Sequence, residues 1–98
     1  SNSPVGIDIE KIRKADFRVA KRFFTEKENE YIKAQNSDTR FFEIWTKKEA
    51  YIKKNGLTLG SIRNSDTAGI YTFINNSYVI SVCHDSPEKT EIICEYIN

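Results

Sequence analysis

The chain contains few of the residues that define several specialised protein classes. Its 98 residues include two cysteines, one histidine, one tryptophan and no methionine. Cys83 and Cys94 show neither CxxC spacing nor a disulfide-rich pattern, so we expect a reducing, cytoplasmic setting in which both are small buried hydrophobes on neighbouring strands. No apolar run approaches the roughly 18–20 residues that a membrane span needs, and no secretory leader is visible.

An excess of one charge is also missing. Fifteen basic and fourteen acidic side chains give a net charge of +1, which provides no overall attraction to nucleic acid or to an anionic membrane. The segment IRKADFRVAKRFF, residues 12–24, mixes basic and aromatic residues as some RNA-binding segments do. Its helical period explains the aromatic residues as core. We therefore expect no nucleic-acid and no membrane partner.

The length allows one domain, whose core is only marginally sufficient. Without methionine the chain has no initiator, and Ser1-Asn2 looks like a cleavage remnant. We therefore expect residues 1–3 to be a scar or linker and residues 4–98 to form a single domain excised from a longer protein.

The hydrophobic pattern predicts an α+β fold, with an N-terminal strand, two to three helices and then an antiparallel three-stranded meander. In the strand, Val5, Ile7 and Ile9 are expected to face the core. The first helix is predicted over residues 15–24. The second begins at a capping box at Thr25 and runs to about Gln35. The third follows a turn and helix cap at residues 36–38, begins at Asp38 and ends at Asn55-Gly56. After a polar loop over residues 57–67, the strands of the meander are predicted at residues 69–74, 78–83 and 90–97, the first two as a hairpin around Asn75–Ser77.

The first strand carries two carboxylates on one side. Asp8 and Glu10 are separated by two positions, so their side chains point the same way roughly 6–7 Å apart. They repel each other, and each prefers water or a cation. Gly6 lies on the same side, where a missing side chain lets a ligand or another backbone approach. The pattern fits either a solvated strand face or a cation site.

A second concentration of charge is WTKKEAYIKKNG, residues 45–56. Glu49 lies one helical turn before Lys53, and as a surface ion pair the two contribute only about 0.3–0.5 kcal/mol. The lysines form either a solvated face or an anion-binding flank beside a third carboxylate. If strand and helix meet, Asp8, Glu10 and Glu49 suit Mg²⁺, which accepts carboxylate and phosphate oxygens, while lysines hold phosphates as point charges.

The two segments in this order resemble the 4′-phosphopantetheinyl transferases, most closely the Sfp-type branch. The pattern G-x-D-x-E followed by W-x-x-K-E-A-x-x-K is matched by Gly6, Asp8, Glu10, Trp45, Lys48, Glu49, Ala50 and Lys53. The resemblance implies transfer of the phosphopantetheine arm of coenzyme A to a serine of an acyl or peptidyl carrier protein, releasing 3′,5′-ADP. It implies that Asp8, Glu10 and Glu49 hold Mg²⁺ (or Mn²⁺) against the pyrophosphate of coenzyme A. Asp8 is thereby part of the coenzyme A site.

The same resemblance implies that Lys48 and Lys53 contact the phosphates of coenzyme A, and that Glu49 takes the serine proton, which makes Glu49 and Lys53 the catalytic candidates. Sfp-type enzymes consist of two similar halves around the coenzyme A cleft, and this chain looks like the C-terminal half. Its expected partners are therefore a carrier protein and either the N-terminal half or a second copy of the chain. The alternative is a non-catalytic module of the same fold that binds carrier proteins.

Cys83-His84-Asp85 invites interpretation as a nucleophile with its base. Adjacent residues of a strand point to opposite faces, so they do not form a working dyad with each other. We expect His84 to be a histidine at the end of a strand without a catalytic role.

Overall fold

The computed structural model describes residues 5–65, 67 and 69–84. In chain order the elements are β1 Val5–Lys11, α1 Phe17–Phe23, α2 Glu26–Ala34, α3 Ser37–Asn55, a 3₁₀ helix Leu59–Asn64, β2 Tyr71–Asn75 and β3 Tyr78–His84. The predicted α+β class is confirmed. The predicted connection 85–89, the strand 90–97 and Cys94 lie outside the described residues. None of the described helices is long and apolar enough to cross a membrane.

The described strands form one antiparallel sheet in the order β1-β3-β2. The predicted hairpin between β2 and β3 is confirmed, and its turn places Asn76 in the left-handed region with φ 57°, which asparagine tolerates better than most residues. β1 pairs with β3 so that Asp8 lies opposite Ser81. The first strand of the chain is therefore the neighbour of the last described one.

Local capping signals set the helix ends. In the capping box that begins α2, the Glu28 N–H donates to Thr25 Oγ1 at 3.2 Å and the Thr25 N–H donates to Glu28 Oε1 at 2.8 Å. α3 ends at Gly56, whose φ is 63° and whose N–H donates to the Ile52 carbonyl oxygen. Both predicted signals are confirmed.

The start of α3 differs from the prediction. No cap hydrogen bond is made by the side chain of Asn36, the residue that precedes the helix with φ 48°. Asp38 lies within the first turn, where its Oδ1 accepts the N–H of Ala15 at 2.9 Å. A carboxylate at this position also suits the positive end of the helix dipole. Asp38 therefore ties the entry of α1 to α3.

The predicted orientation of β1 is wrong. α3 covers the side of β1 that carries Gly6 and Asp8, both of which are buried, whereas Val5 and Ile9 are 41% and 51% exposed. The reason lies at Gly6: a Cβ atom there would collide with the carbonyl oxygen of Ala50 and lie 2.7 Å from the backbone nitrogen of Lys54. Because glycine has no Cβ, the backbones of strand and helix can approach closely on this side.

The main core lies between the helices and the inner side of the sheet. Its buried members are Ala15, Ala20, Phe24, Ile32, Phe41, Phe42 and Val79. Trp45 packs against this cluster, with its ring nearly parallel to that of Phe41 at 6.3 Å between centroids. The motif tryptophan is therefore part of the core, where a large aromatic ring contributes apolar contact area.

The segment predicted as a polar loop contains a short helix instead. The 3₁₀ helix Leu59–Asn64 carries Ile62, which is fully buried. A second, smaller apolar cluster unites Ala50, Ile70 and Cys83. Cys83 is thus a buried small hydrophobe, as predicted. His84 is the last residue of β3, as expected.

Candidate active site

The close approach of β1 and α3 brings Asp8 and Lys53 together. Lys53 Nζ donates to Asp8 Oδ1 at 2.7 Å and to the carbonyl oxygen of Ile7 at 3.3 Å. The predicted ion pair between Glu49 and Lys53 along the helix is replaced by this pair between helix and strand. The Lys53 side chain remains 51% exposed, so its ammonium group can be reached from solvent.

Asp8 has one oxygen in use and one without a partner. Its side chain is 9% exposed, and its Oδ2 is buried with no hydrogen-bond partner among the described residues. Burial raises the pKa of Asp8 above its usual value, the hydrogen bond and charge of Lys53 oppose this shift, and the charge of Glu10 adds to it. An unpartnered carboxylate oxygen of this kind calls for a specific explanation.

Glu49 and Glu10 lie in the same electrostatic neighbourhood. The pKa of Glu49 is raised, first by burial and then by the charge of Asp8, with Lys53 acting in the opposite direction and Glu10 adding a smaller increase. Glu10 itself accepts a hydrogen bond from Arg13 at 3.2 Å. Like charges that act on one another in this way favour a nearby cation.

The acidic side chains do not converge on a single point. Within residues 5–65, 67 and 69–84, no group of three or more His, Cys, Asp or Glu side chains is close enough to hold a metal ion. The structure therefore brings Asp8 into contact with Lys53, and the charge of Glu10 adds to the raised pKa of both Asp8 and Glu49. It does not gather Asp8, Glu10 and Glu49 into a ready ligand set.

Lys48 lies on a different side of α3. Adjacent helical residues are rotated by about 100°, and Lys48 turns inward where Glu49 does not. Its side chain is fully buried. Its Nζ donates to the carbonyl oxygens of Ile62 and Arg63, both at 3.1 Å, and pairs with Glu28 Oε1 at 3.0 Å. The predicted contact of Lys48 with the phosphates of coenzyme A therefore has no support in this geometry.

A chain of three hydroxyl groups, of buried Thr46, buried Ser81 and half-buried Thr72, lies beside Asp8 and is not among the predicted features. Ser81 Oγ is 2.7 Å from Thr46 Oγ1 and 2.7 Å from Thr72 Oγ1, and Thr46 Oγ1 also donates to the Phe42 carbonyl oxygen at 2.8 Å. These bonds join α3 to the centre of the sheet directly opposite Asp8. The only sequence signal is a polar residue at the inward position of an otherwise apolar strand, which periodicity could have flagged.

Among the clefts of the described residues, two are relevant to the predicted site. The larger has a volume of about 580 Å³ and lies between α1, α2 and the 3₁₀ helix. The residues lining it include the apolar Phe17, Phe24 and Ile32 and the cationic Lys21, Lys33 and Arg63. A smaller one, of about 290 Å³, is lined by Glu10, Arg13 and Trp45 among others. Only the smaller cleft includes one of the predicted metal ligands.

The whole-chain comparison establishes the class of protein. Residues 4–95 match the family model of the 4′-phosphopantetheinyl transferase superfamily, and the chain belongs to that superfamily. A solved holo-[acyl-carrier-protein] synthase of Thermotoga maritima has a similar fold, with a TM-score of 0.55 and 13% identity over 82% of this chain and 61% of that one. At that identity the likeness shows the fold alone.

Curated relatives narrow the resemblance to particular transferases. The chain is 57% identical over 61 residues to the 4′-phosphopantetheinyl transferase gsp of Aneurinibacillus migulanus, covering 57% of this chain and 25% of the relative. It is 39% identical over 70 residues to psf-1 of Bacillus pumilus, with coverage of 68% and 30%. For Sfp of Bacillus subtilis the identity is 38% over 58 residues, with coverage of 56% and 26%. The matched part thus spans about a quarter to a third of these relatives' length.

Proposed function

We propose that the chain provides the metal- and pyrophosphate-binding side of an Mg²⁺-dependent 4′-phosphopantetheinyl transferase. The reaction would transfer phosphopantetheine from coenzyme A to a serine of an acyl or peptidyl carrier protein and release 3′,5′-ADP. The observation that carries the proposal is the contact of Asp8 with Lys53. It places a buried carboxylate that has an unused oxygen beside an ammonium group open to solvent.

The residues present fit a hard cation in their chemistry. Asp8 offers the unpartnered Oδ2. The charge of Glu10 raises the pKa of Asp8, and the charges of Asp8 and Glu10 raise the pKa of Glu49. Holding Mg²⁺ would require the longer side chains of Glu10 and Glu49 to turn toward Asp8, with Glu10 leaving Arg13. When bound, the ion would neutralise charge on the pyrophosphate, and waters and phosphate oxygens would complete its coordination.

Lys53 and Glu49 have distinct proposed roles. Once Asp8 is engaged by a cation, the exposed ammonium of Lys53 is free to hold a phosphate oxygen of coenzyme A. Glu49 would take the proton of the carrier serine as that hydroxyl attacks phosphorus and the bond to 3′,5′-ADP breaks. A carboxylate placed within reach of the hydroxyl is a usual general base, and in the metal-free chain burial and the charge of Asp8 raise the pKa of Glu49. Lys48 has no proposed contact with substrate.

An acidic carrier protein is the proposed macromolecular partner. The larger cleft is lined by apolar side chains together with Lys21, Lys33 and Arg63, which outnumber the single carboxylate of Glu26. This excess of positive charge beside apolar contacts complements an acidic partner. The other side of the sheet exposes Val5 and Ile9, and we propose that a second, similar half of the enzyme or a second copy of the chain covers it.

Calorimetry with Mg²⁺ and coenzyme A tests the metal and phosphate site. We expect coenzyme A to bind this chain in an Mg²⁺-dependent manner, and Asp8→Asn to weaken that binding at least about tenfold, since it removes a ligand charge. Glu30→Gln, which alters an exposed carboxylate of α2, is the matched control and should bind like the unaltered chain. Carrier-protein binding without any affinity for metal or coenzyme A would instead support a non-catalytic module.

Mass spectrometry of an apo carrier protein tests the transfer itself. With coenzyme A and Mg²⁺ present, the addition of the arm is read directly as a mass increase. We expect slow or absent transfer by the chain alone and efficient transfer when the complementary half is present. In that assembly Glu49→Gln should reduce the rate by about 10²–10⁴-fold, the usual contribution of a general base. Unchanged transfer by Glu49→Gln would remove Glu49 from the catalytic set.

A further inference from the structure

Lys48 is bonded to parts of the chain that are distant in sequence. Its Nζ contacts Glu28 at the start of α2 and the carbonyl oxygens of Ile62 and Arg63 at the end of the 3₁₀ helix. The same nitrogen lies 5.7 Å from the centre of the Phe24 ring, just after α1. A fully buried ammonium group is tolerated only when its donors are satisfied and its charge is paired, and here one side chain of α3 meets both conditions.

The partners of Lys48 also belong to the cap of α2 and to the end of the 3₁₀ helix. Glu28 Oε1 also accepts the Thr25 N–H that closes the capping box of α2, so one oxygen serves both the cap and the ion pair. The Ile62 and Arg63 carbonyls belong to the last turn of the 3₁₀ helix, where a cation offsets the negative end of the backbone dipoles. Lys48 therefore fixes the start of α2 and the end of the 3₁₀ helix relative to α3.

Both places contribute residues to the wall of the larger cleft. Glu26 and Asn29 line it from the first turns of α2, and Arg63 lines it from the 3₁₀ helix. The Arg63 guanidinium also reaches the carbonyl oxygen of Arg22, at the end of α1, at 3.4 Å. The bonds of Lys48 to the Ile62 and Arg63 carbonyl oxygens tie the 3₁₀ helix to α3.

We propose that Lys48 is a positioning residue for this cleft. It holds the α2 wall and the Arg63 wall at a fixed separation and so sets the affinity for an acidic protein partner. This role replaces contact with the phosphates of coenzyme A, because a phosphate bond would require the ammonium group to leave three buried partners. The identity of the partner rests on the proposed function; the positioning of the walls does not.

Hydrogen exchange on the 98-residue chain tests the positioning role directly. In Lys48→Met we expect amide exchange in residues 59–64 and in the first turns of α2 to accelerate by roughly a hundredfold, since removing one member of a buried pair leaves its partner uncompensated. Lys47→Met changes the preceding, half-buried lysine and is the matched control, with exchange unchanged. If Lys48→Met does not fold, Glu28→Gln decides the matter, because it keeps the capping oxygen and removes only the charge.

The interaction of the two residues gives a second exchange criterion. The double variant Glu28→Gln/Lys48→Met should exchange no faster in these segments than Lys48→Met alone, because both changes remove the same pair. Two results would overturn the positioning role. One is additive acceleration of exchange in the double variant. The other is exchange in both Glu28→Gln and Lys48→Met that is identical to that of the unaltered chain.

Binding measurements separate positioning from phosphate contact. Lys48→Met should weaken binding of an apo carrier protein at least about tenfold, because the cationic wall is displaced from its complementary position, while Mg²⁺–coenzyme A binding is unchanged. Loss of coenzyme A binding with normal exchange would make Lys48 a phosphate ligand and refute the proposal. If the unaltered chain binds no carrier protein, the proposed partner fails, while the exchange experiment still decides whether Lys48 fixes the two walls.

Discussion

Burial of Asp8 disfavours its ionised form, whereas its proposed role in binding a cation requires that form. Its pKa is raised above that of an exposed aspartate, chiefly by burial, so the folded chain binds a proton more readily than the unfolded chain at Asp8. Stability contributed by this group is therefore lost as the pH rises from the usual aspartate range through the raised pKa. At neutral pH the ionised Asp8 opposes folding.

Asp8→Asn should consequently stabilise the chain at neutral pH. We expect the free energy of unfolding to rise by about 1 kcal/mol, because a partly compensated buried charge is replaced by a neutral group of the same shape. The gain should shrink as the pH falls, since Asp8 is then protonated in both states. Urea unfolding of both chains across the acid range measures the difference.

Asp16→Asn is a control of opposite sign. Asp16 caps α1 and its pKa is lowered, first by its hydrogen bond with the Arg18 side chain, so its stabilising effect is present above the usual aspartate pKa and fades as the pH falls. Asparagine retains the capping capacity, which leaves the charge as the main difference. A stability loss for Asp8→Asn at neutral pH would contradict the assignment of Asp8 as a residue kept for binding.

At the scale of elements, the crossing of β1 and α3 depends on Gly6. Gly6→Ala would place a methyl group against the Ala50 carbonyl and the backbone nitrogen of Lys54, and backbone cannot move aside as a flexible side chain can. We expect destabilisation of about 3 kcal/mol or more, at the upper end of overpacking effects, with loss of the Asp8–Lys53 contact. Thermal unfolding followed by circular dichroism measures it.

Gly60→Ala is the matched control for this substitution. A Cβ atom at Gly60 would meet only Thr58 Oγ1, at an ordinary 3.8 Å, and the added methyl group removes backbone freedom from the unfolded chain. We therefore expect a change within about 1 kcal/mol, in the stabilising direction. Similar losses in the two variants would show that Gly6 is not a special contact.

The elements that the sequence predicted well are those defined by neighbouring residues. The capping box at Thr25, the stop at Gly56 and the turn at Asn76 each depend on a few adjacent positions, and all three are confirmed. The orientation of β1 was mispredicted because alternation identifies two faces without saying which one a helix covers. That choice is made by a contact between Gly6 and Ala50, which are distant in the chain.

In the candidate site, too, the features that the sequence did not predict depend on contacts between residues distant in the chain. Asp8 and Lys53 were expected near each other only through the family pattern, and the structure brings them into contact. Lys48 and Lys53 are the same residue type in the same motif, yet one is fully buried and the other half exposed. The difference arises from the 3₁₀ helix, whose carbonyl oxygens bind Lys48. The sequence predicts a loop there because the buried Ile62 is not part of a periodic apolar pattern.

At the scale of the whole molecule, the outer side of the sheet has a buried centre, with Ile80 and Val82 6% and 0% exposed, and exposed apolar residues around it. Its exposed residues belong to all three strands: Val5, Ile9, Tyr71 and Tyr78, at 41–51% exposure. Strand register places them on the side away from α3. Apolar residues exposed around a buried centre can contact a partner, and we expect a second half of the enzyme or a second copy of the chain to cover them.

We therefore expect the chain alone to self-associate through this surface, with a light-scattering mass that rises with concentration. Ile9→Lys should weaken association at least about tenfold, because it removes apolar contact and forces a charge into the interface. Leu57→Lys changes an exposed apolar residue outside this surface, 40% exposed just after α3, and should leave association unchanged. If the chain stays monomeric at all concentrations and Ile9→Lys has no effect, a second copy does not cover this surface.

Binding of a separately supplied N-terminal half is then the next test. If the chain binds that half and Ile9→Lys abolishes the binding, the surface belongs to the N-terminal half, since both occupants would use the same apolar contacts.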